Sequence, residues 1–414
     1  MSPRHLALFI RSLGADGGGA ERNWLILAEA FARAGHRVDL VLGRRVGHFA
    51  DAVPAGVRAI DLGVRGPLPL LRAVASDPRR ARSLGPALRA LPPPWILGAA
   101  PALADYLRRE RPDTLLAALG YGNVTALWAR ERAGVAVRVA ISERNTLSVR
   151  AAHAAAGRWR ALPSVARAWY PRADAILAVS EGVADDLARA TGLPRDRIVV
   201  TGNPVVTPDL AARAAEPVSH AWLAPGAPPV VLGAGKLKPQ KGFDVLLDAF
   251  ALARRARALR LVILGDGPER RPLLRRARRL GIAADVALPG FVANPFAWMA
   301  RCGVFALSSR FEGLPGVLLQ ALACGAPVVS TDCPSGPAEI LEPGGLGALV
   351  PVDDAAALGA AILASLEAPR PDPAARRARA EAFSVERVAP RYLAAALPAD
   401  TASSSAASRS ATAA

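Results

Sequence analysis

The chain has 414 residues, more than a single hydrophobic core of ordinary size serves, so two domains are expected. A hydrophobic content of 52% with 5% aromatic residues excludes a disordered chain and is typical of an alanine- and leucine-rich α/β protein. The formal net charge of +17 is consistent with nucleic acid, an anionic membrane surface or merely an arginine-rich composition. Nucleic acid is the least favoured partner, because the chain shows no nucleic-acid-binding module and few aromatic residues for base stacking.

No apolar run in the sequence reaches the length of a membrane span, and the short run LALFI near the start is not followed by a cleavage site. We therefore expect a cytoplasmic protein. The cysteines are odd in number and lack paired spacing, which predicts reduced thiols and no metal site. They are Cys302, Cys324 and Cys333.

The first half of the chain alternates apolar strands with helices, which favours a doubly wound parallel sheet. A glycine run at 17–19 separates the first strand from a helix that should stop at Gly35. Gly18 and Gly19 would expose backbone N–H groups that suit an anion, although the spacing fits neither a dinucleotide fingerprint nor a P-loop. The strands predicted here are 5–13, 37–42, 57–62, 114–119, 135–142, 175–179 and 198–201.

Residues 66–97 form an irregular stretch of leucines, arginines and prolines, and the prolines limit it to short helices. Leucines interleaved with arginines suit a membrane interface, and equally a helix pair packed on the sheet. Residues 1–205 hold 29 arginines and 17 acidic residues, whereas residues 206–414 hold 23 basic and 18 acidic residues. The basic excess therefore lies mostly in the first half.

Three polar residues, Glu143, Arg144 and Asn145, follow the predicted strand at 135–142. Ligands of open α/β sheets bind at the carboxyl ends of the strands, so these side chains are candidates for a cleft. The alternative is local, since Asn145 could cap the next helix.

Lysine is rare and clustered. The chain has 49 arginines but only three lysines, Lys236, Lys238 and Lys241, which lie within six residues. A compact ammonium suits a phosphate where a broad guanidinium does not fit, so Lys236 and Lys241 on one strand–helix loop could bracket a diphosphate. The helix after Gly242 would add its N-terminus to that anion. The alternative is a solvated basic loop, and a Lys238 side chain in solvent would contribute little.

The second half repeats the alternation, and its most informative stretch is 308–341. An apolar strand at 302–307 precedes it, Pro315 suits the first turn of a helix, and Gly325 suits the C-terminal cap. At 100° per residue, Gly313, Gly316 and Gln320 gather opposite the apolar face of this helix, with Glu312 at its head. That polar face can be approached by a ligand; a plain βαβ unit with glycines for close packing is the alternative. The other elements predicted here are strands at 230–232 and 348–352 with the runs LRLVIL and VALPG, helices over 355–382, and a helix at 385–397.

The run FEGLPGVLLQALACGAPVVSTD, followed by SGPAEIL, resembles the donor-site signature of retaining glycosyltransferases of family 4, and the loop GGAER is similar to the first loop of many members. The resemblance implies the GT-B fold, in which two doubly wound Rossmann-like domains with parallel sheets face each other across a cleft. The implied division is an acceptor-side domain at 1–205 joined by the helix at 385–397, a nucleotide-sugar-binding domain at 206–384, and a disordered tail at 399–414.

The resemblance also assigns roles to residues. In the family two acids with seven residues between them hold the sugar and the ribose; Glu312 matches the first acid, and Gln320 stands where the second Glu is usual. An amide can still hydrogen-bond vicinal hydroxyls. The residues implied as catalytic are Lys236, which replaces the usual Arg, Lys241 and Glu312. Donor contacts are implied at Gly18, Gly19, Gly313, Leu314, Pro315, Gln320, Phe291 and Val292. The acceptor side is implied at Glu21, Arg22, Glu143, Arg144 and Asn145.

The activity implied is retaining transfer of a sugar from a nucleoside-diphosphate sugar, with UDP-sugars favoured, to a hydroxyl of a saccharide or lipid-linked acceptor of envelope polysaccharide synthesis. No metal or other cofactor is expected, because lysines can neutralise the diphosphate. An anionic membrane surface is an expected partner, which would place the protein on the inner face of the cytoplasmic membrane. Two alternatives remain open at this point, a nucleotide-sugar epimerase or hydrolase on the same fold and a non-catalytic nucleotide-sugar binder.

Overall fold

The chain folds around two parallel sheets, each flanked by helices. The computed structural model describes residues 2–14, 18–342, 345–368 and 373–398. Gly17 of the glycine run and the tail predicted to be disordered lie outside these residues. Within the described ranges one sheet has seven strands and the other six. This architecture confirms the prediction of two doubly wound domains.

The first sheet consists of apolar strands that are buried along most of their length, as expected when helices cover both faces. Its strands are β1 His5–Ile10, β2 Arg37–Leu42, β3 Val57–Asp61, β4 Thr114–Ala118, β5 Arg138–Glu143, β6 Ala175–Ala178 and β7 Ile198–Val200. Its helices are α1 Gly19–Arg33, α2 Leu68–Ala75, α3 Pro78–Ala81, α4 Gly85–Leu88, α5 Ala100–Glu110, α6 Tyr121–Ala133, α7 Leu147–Ala152, α8 Gly157–Trp169 and α9 Glu181–Thr191. The strand order β3-β2-β1-β4-β5-β6-β7 reverses between β1 and β4, where open sheets form their ligand crevice.

The second sheet repeats this plan. Its strands are β8 Val230–Ala234, β9 Arg260–Leu264, β10 Val286–Gly290, β11 Val304–Leu307, β12 Val328–Thr331 and β13 Ala348–Val350. The remaining helices are α10 Leu210–Ala215, α11 Phe243–Ala256, α12 Arg270–Arg279, α13 Phe296–Met299, α14 Gly316–Ala323, α15 Pro337–Leu341, α16 Ala355–Glu367, α17 Pro373–Glu381 and α18 Val385–Ala396. The order β10-β9-β8-β11-β12-β13 reverses between β8 and β11.

The last helix, α18, returns to the first sheet. Its Tyr392 is fully buried in a cluster with Leu8 and Trp24. The two segments that connect the halves run side by side: the Val205 amide donates to the Phe383 carbonyl at 3.1 Å, and the Val385 amide donates to the Val206 carbonyl at 3.1 Å. The domain boundary predicted near residue 205 falls in this paired connection.

The two halves also touch through helix α9. Its first amides, those of Glu181 and Gly182, donate to the Glu339 carboxylate of α15 at 2.9 Å each. Just before the helix, the Ser180 hydroxyl donates to the Gly313 carbonyl at 2.8 Å. A carboxylate at a helix N-terminus satisfies N–H groups that have no partner within the helix. We call this contact between α9 and the 313–339 region the seam.

Part of the leucine- and arginine-rich stretch at 66–97 packs on the sheet, which was one of the two alternatives considered for it. Leu70 and Leu84 are buried in the core of the first domain. Leu68, Leu71 and Leu91 are instead exposed to solvent. The short helices α2 to α4 therefore pack on the sheet and also present leucines outward.

Candidate functional site

The lysine loop lies between β8 and α11, near the point where the strand order reverses. Pro239–Lys241 form a turn of 3-10 helix, and Gly242 follows with φ of +59°. A Cβ at Gly242 would overlap the carbonyl oxygen of Ser308, so this position requires glycine both for its dihedral angle and for its contact. The glycine thereby lets the lysine loop lie directly against the loop that follows β11.

Several hydrogen bonds hold these two loops together. The Ser308 hydroxyl donates to the Lys241 carbonyl at 2.9 Å, and the Gln240 side-chain amide donates to the Phe311 carbonyl at 2.7 Å. The Arg310 amide donates to the Gln240 carbonyl at 2.8 Å. Because β8 and β11 are neighbours in the sheet, loops far apart in sequence become one surface.

This surface brings together two of the residues predicted to be catalytic. Lys241 Nζ lies 2.6 Å from Glu312 Oε1, and the Ser309 hydroxyl donates to the same oxygen at 2.7 Å. Glu312 is 7% exposed, so this is a largely desolvated ion pair. Within the described residues, the hydrogen bonds to this carboxylate end on Oε1, which leaves Oε2 available for a hydroxyl group of a ligand.

The other two lysines are partly buried in the same loop. Burial lowers the pKa of Lys238 to about 8, and the positive charge of Lys241 adds to this effect. The neighbouring charges of Glu312, Arg150 and Lys236 also act on it. Lys238 is therefore not a solvent lysine, and the small contribution expected for a side chain in solvent does not apply to it.

The N-terminus of α11 is only partly available to an anion. Backbone N–H groups of Asp244 and Val245 hydrogen-bond to the Asp244 carboxylate, which lowers its pKa together with the Arg310 side chain. Arg310 binds this carboxylate at 2.8 Å. The lysine side chains, more than the helix end, therefore supply positive charge at this point.

Gln320 lies on α14, which begins at Gly316, four residues beyond Glu312. The buried face of this helix consists of Leu318, Leu319, Ala321 and Leu322. Gln320 is partly exposed, and its side chain makes no hydrogen bond to any residue that the structure describes. Its amide is thus free to bind a ligand.

The turn at 313–315 faces the first domain. The Gly313 carbonyl accepts hydrogen bonds from the hydroxyls of Ser180 and Ser335, and a Cβ at Gly313 would overlap the Arg144 carbonyl. The Leu314 carbonyl accepts from the Asn203 side chain at 3.0 Å. Leu314 and Pro315 are themselves buried, so any donor contact here involves little exposed surface.

The glycine-rich turn of the first domain leads directly into α1. Gly18 is the N-cap residue of this helix and Gly19 its first residue. The Glu21 carboxylate occupies the space where a Gly18 side chain would be. Arg22 lies over the Phe296 ring at 5.4 Å from its centroid, and burial lowers the pKa of its guanidinium.

The predicted acceptor-side residues after β5 make mainly internal contacts. Glu143 is buried and accepts hydrogen bonds from Tyr170 and Asn123, and burial raises its pKa. Arg144 donates to the Tyr392 hydroxyl and to Asn203, at 2.6 Å each. Asn145 Oδ1 accepts from the Thr146 amide, but Thr146 itself is the N-cap residue of α7, and the first amides of the helix donate to Asp186, so Asn145 does not cap this helix as the local alternative predicted. The structure thus brings none of these three side chains to the lysine loop.

The loop after β10 reaches the opposite side of the molecule from the seam. Phe291 is 55% exposed, and its ring centroid lies 4.9 Å from that of His48 in the first domain. Val292 is partly buried. A nucleoside base beside Phe291 remains a prediction.

Sequence reasoning missed several residues that join the halves or face the cleft. Ser180, Ser335 and Glu339 form the seam, and Arg150 of α7 lies near enough to Lys238 for its charge to lower the pKa of that lysine. A signal existed for Ser180 alone, since a serine before an acidic residue at a helix start is a typical N-cap. The partners of the others depend on contacts distant in sequence.

Among the described residues, no cluster of His, Cys, Asp and Glu is arranged to hold a metal ion. The three cysteines are buried and make no disulfide. No described helix is both long enough and apolar enough to cross a bilayer.

Solved structures share this architecture. HepE of Anabaena in complex with UDP-glucose superposes with a TM-score of 0.73 over 93% of this chain and 97% of that chain, at 19% identity. The apo form of the lipopolysaccharide outer core galactosyltransferase WaaB superposes with a TM-score of 0.67 over 94% and 98%, at 20% identity. At these identities the likeness establishes the GT-B fold alone.

Two relatives are more similar in sequence over shorter stretches. The N-acetylgalactosamine-N,N'-diacetylbacillosaminyl-diphospho-undecaprenol 4-alpha-N-acetylgalactosaminyltransferase of Campylobacter jejuni is 34% identical over 185 residues, 45% of this chain and 48% of that protein. The lipopolysaccharide 1,6-galactosyltransferase of Escherichia coli is 32% identical over 175 residues, 41% and 46%. The chain thus spans about half the length of each of these relatives.

Family models cover both halves. Residues 17–208 match the model described as Glycosyltransferase Family 4, and residues 228–368 match that described as Glycosyl transferases group 1. These matches, the paired Lys241 and Glu312 and the GT-B architecture agree with one another. The chain belongs to the group 1 glycosyltransferases of family 4.

Proposed function

We propose that this protein transfers a sugar from a nucleoside-diphosphate sugar to an acceptor hydroxyl, with retention of the anomeric configuration, in the synthesis of an envelope polysaccharide or lipopolysaccharide. The observation that carries the proposal is the desolvated pair of Lys241 and Glu312 between two Rossmann-like domains. The relatives' names describe transfer to a diphospho-undecaprenol-linked sugar and to lipopolysaccharide, which supports an acceptor of this class. A neighbour's complex with UDP-glucose supports a UDP-sugar as donor.

The roles proposed for the site residues depend on where negative charge develops during the transfer. The bond between the sugar and the diphosphate breaks, and the departing diphosphate gains negative charge, which fixed cations in a desolvated site stabilise. Lys241 and Lys236 would take this role from one short loop, with Lys238 between them. The backbone amides near Gly18 and Gly19 are the first domain's candidates for the same phosphates. Since lysines supply the positive charge, we propose that the transfer needs no metal.

Glu312 would position the sugar. Its Oε1 is held by Lys241 and Ser309, so Oε2 can accept from sugar hydroxyls. Gln320 on the next helix, with its unoccupied side-chain amide, would bind the ribose hydroxyls. The acceptor hydroxyl can pass its proton to the departing phosphate on the same face of the sugar, so no protein base is required. This agrees with the burial of Glu143 away from the lysine loop.

Incubation with labelled donor sugars, with and without membrane lipid extract, tests the activity. Transfer to an extractable acceptor supports the proposal. Free sugar without transfer would indicate a hydrolase, a changed sugar an epimerase, and binding without turnover a non-catalytic protein.

The first prediction concerns the leaving diphosphate. Lys241→Ala removes a charge-assisted contact worth about 2–4 kcal/mol in the transition state, so turnover should fall roughly 30- to 1000-fold. Lys236→Ala should act in the same direction. Steady-state kinetics with the same donor provide the measurement. Equal and mild losses at all three lysines would contradict a specific role and leave only a basic loop.

The second prediction concerns pH. The pKa of Lys238 is about 8 without ligand, so its charge is lost as pH rises through 8, and affinity for a nucleoside diphosphate should fall over that range. Lys238→Met should flatten the profile. In the unfolded chain the pKa of this lysine is about 10.5, so the unfolded state binds one more proton than the folded state between pH 8 and 10.5. The free energy of unfolding of the ligand-free protein should therefore rise with pH over that range. Calorimetric titration with UDP at a series of pH values decides, and an identical slope in the variant would refute the assignment.

The third prediction concerns the amide that replaces the usual acid. Gln320→Leu should raise the donor KM by about tenfold, because a hydrogen-bond pair to the ribose is lost. Gln320→Glu should retain activity. If Gln320→Leu binds UDP as well as the native protein does, the ribose does not lie against α14.

The fourth prediction concerns peripheral membrane binding through the exposed surface of α2 to α4. Leu91 is 83% exposed, and Arg79, Arg82 and Arg89 are exposed beside it in the chain. Arg80 is excluded from this surface, because it binds Asp77 and Glu131. Exposed basic residues contribute about 1 kcal/mol each at an anionic surface, so replacing Arg79, Arg82 and Arg89 by Ser should weaken vesicle binding roughly 100-fold.

Co-sedimentation with anionic and neutral vesicles at low and high salt measures this binding. A matched control removes the same charge elsewhere, by replacing the exposed Arg275, Arg278 and Arg279 near the end of α12 by Ser. Equal losses in both triple variants would show that only net charge matters. A native protein that stays in solution with anionic vesicles at low salt would refute membrane binding.

A further inference from the structure

Arg150 on α7 is a cation that the donor site does not use. Its guanidinium stacks on the indole ring of Trp159, 3.7 Å from the ring centroid, and Trp159 in turn packs against the Tyr121 ring at 5.8 Å. Stacking on a rigid indole holds a guanidinium in one orientation while leaving its in-plane N–H groups unused. The structure therefore presents an oriented set of hydrogen-bond donors.

These donors have no partner among the described residues. No carboxylate there lies within ion-pair distance of Arg150, and no acceptor hydrogen-bonds to it. The acid that acts on it most, Glu143, is buried with Tyr170 and Asn123. Burial lowers the pKa of Arg150, and the charge of Glu143 opposes this shift only in part. Arg150 is partly exposed, so a ligand can reach its N–H groups and supply further negative charge.

Other positive charges lie around it. Arg11, which follows β1, and Arg158, at the start of α8, both act on Arg150 electrostatically. The charge of Arg150 also lowers the pKa of Lys238 in the second domain. The cleft thus holds more fixed positive charge than Lys236 and Lys241 contribute for a donor diphosphate, and apart from Lys238 this surplus belongs to the first domain.

This surplus adjoins an exposed apolar segment. Arg158 Nη1 donates to the Pro92 carbonyl at 3.2 Å, and Pro92 directly follows Leu91, the exposed leucine considered above for membrane binding. A phosphate bound at Arg150 and Arg158 would therefore have an apolar surface beside it. A donor nucleotide has no group that needs such a surface, whereas an acceptor that carries both a phosphate and an apolar chain does.

We propose that Arg150, with Arg158 and Arg11, binds a phosphate or diphosphate group of the acceptor, at a site distinct from that of the donor diphosphate. The assignment to an acceptor rests on the proposed transferase function, whereas the anion site itself does not. The site specifies the acceptor's chemistry: a saccharide linked through phosphate to an apolar chain.

The test is calorimetric titration of inorganic diphosphate into the full-length protein saturated with UDP. One further binding event is expected, weakened about tenfold or more in Arg150→Ala and less in Arg158→Ala. UDP affinity is measured separately at a pH well below 8, where Lys238 stays protonated with or without Arg150, and it should fall far less than diphosphate binding in both variants. Arg160→Ala is the matched control, because Arg160 lies on the same helix, is exposed, and contacts only the Ala155 carbonyl among described groups. Thermal unfolding of ligand-free Arg150→Ala should occur at a temperature close to that of the native protein, since the variant loses the stacking on Trp159 but no ion pair among the described residues.

Several outcomes would overturn the proposal. Diphosphate that binds only by displacing UDP would leave no second site, and undiminished binding in Arg150→Ala would place the anion elsewhere. A lower unfolding temperature with unchanged diphosphate binding would make Arg150 structural. If Arg150→Ala lost affinity for UDP-glucuronate but not for UDP-glucose, Arg150 would bind a carboxylate of the donor sugar and not an acceptor phosphate. Failure of UDP itself to bind, with diphosphate binding still dependent on Arg150, would refute the proposed donor and retain the anion site.

Discussion

The close approach of the two domains at Gly313 determines where the cleft lies. The backbone of Gly313 rests against the Arg144 carbonyl with no room for a side chain, and its own carbonyl is held by hydroxyls from both domains. Because Gly313 directly follows Glu312, the contact that joins the domains also positions the carboxylate that pairs with Lys241. A glycine is needed here for proximity, not for a special dihedral angle. Any larger residue would displace the site and the domain contact together.

The cleft is electrostatically asymmetric. On the side of the second domain, two cations are paired within the protein, Lys241 with Glu312 and Arg310 with Asp244. On the side of the first domain, Arg150 stacks on an aromatic ring and has no ion pair among the described residues. A binding site whose two walls differ in this way can distinguish two anionic ligands by position.

The sequence predicted the fold well because buried parallel strands are continuous apolar runs. The strand predicted at 37–42 coincides with β2, whereas that at 5–13 runs past the end of β1 at Ile10, since the buried Ser12 and Leu13 belong to the loop that follows. The lysine cluster was visible as a departure from arginine usage, independent of any structure. The orientation of Glu143 could not be predicted from the sequence, because this side chain at the end of β5 is directed by its contact with Tyr170, 27 residues away. Arg150 could not be distinguished by sequence from the many other arginines of the chain.

The paired connections between the domains have a mechanical consequence. Two segments of the chain, Val205–Val206 and Phe383–Val385, run side by side between the domains. Backbone hydrogen bonds join them, including an isolated bridge between Val206 and Ser384. Such a double crossing resists sliding and shear, but it permits rotation about an axis along the crossing. The His48–Phe291 ring contact joins loops after β2 and β10, toward the opposite edges of the two sheets from the seam. A small rotation of one domain about this crossing displaces the loops at His48 and Phe291 more than residues near the crossing. We therefore expect a substrate to enter the cleft at that edge.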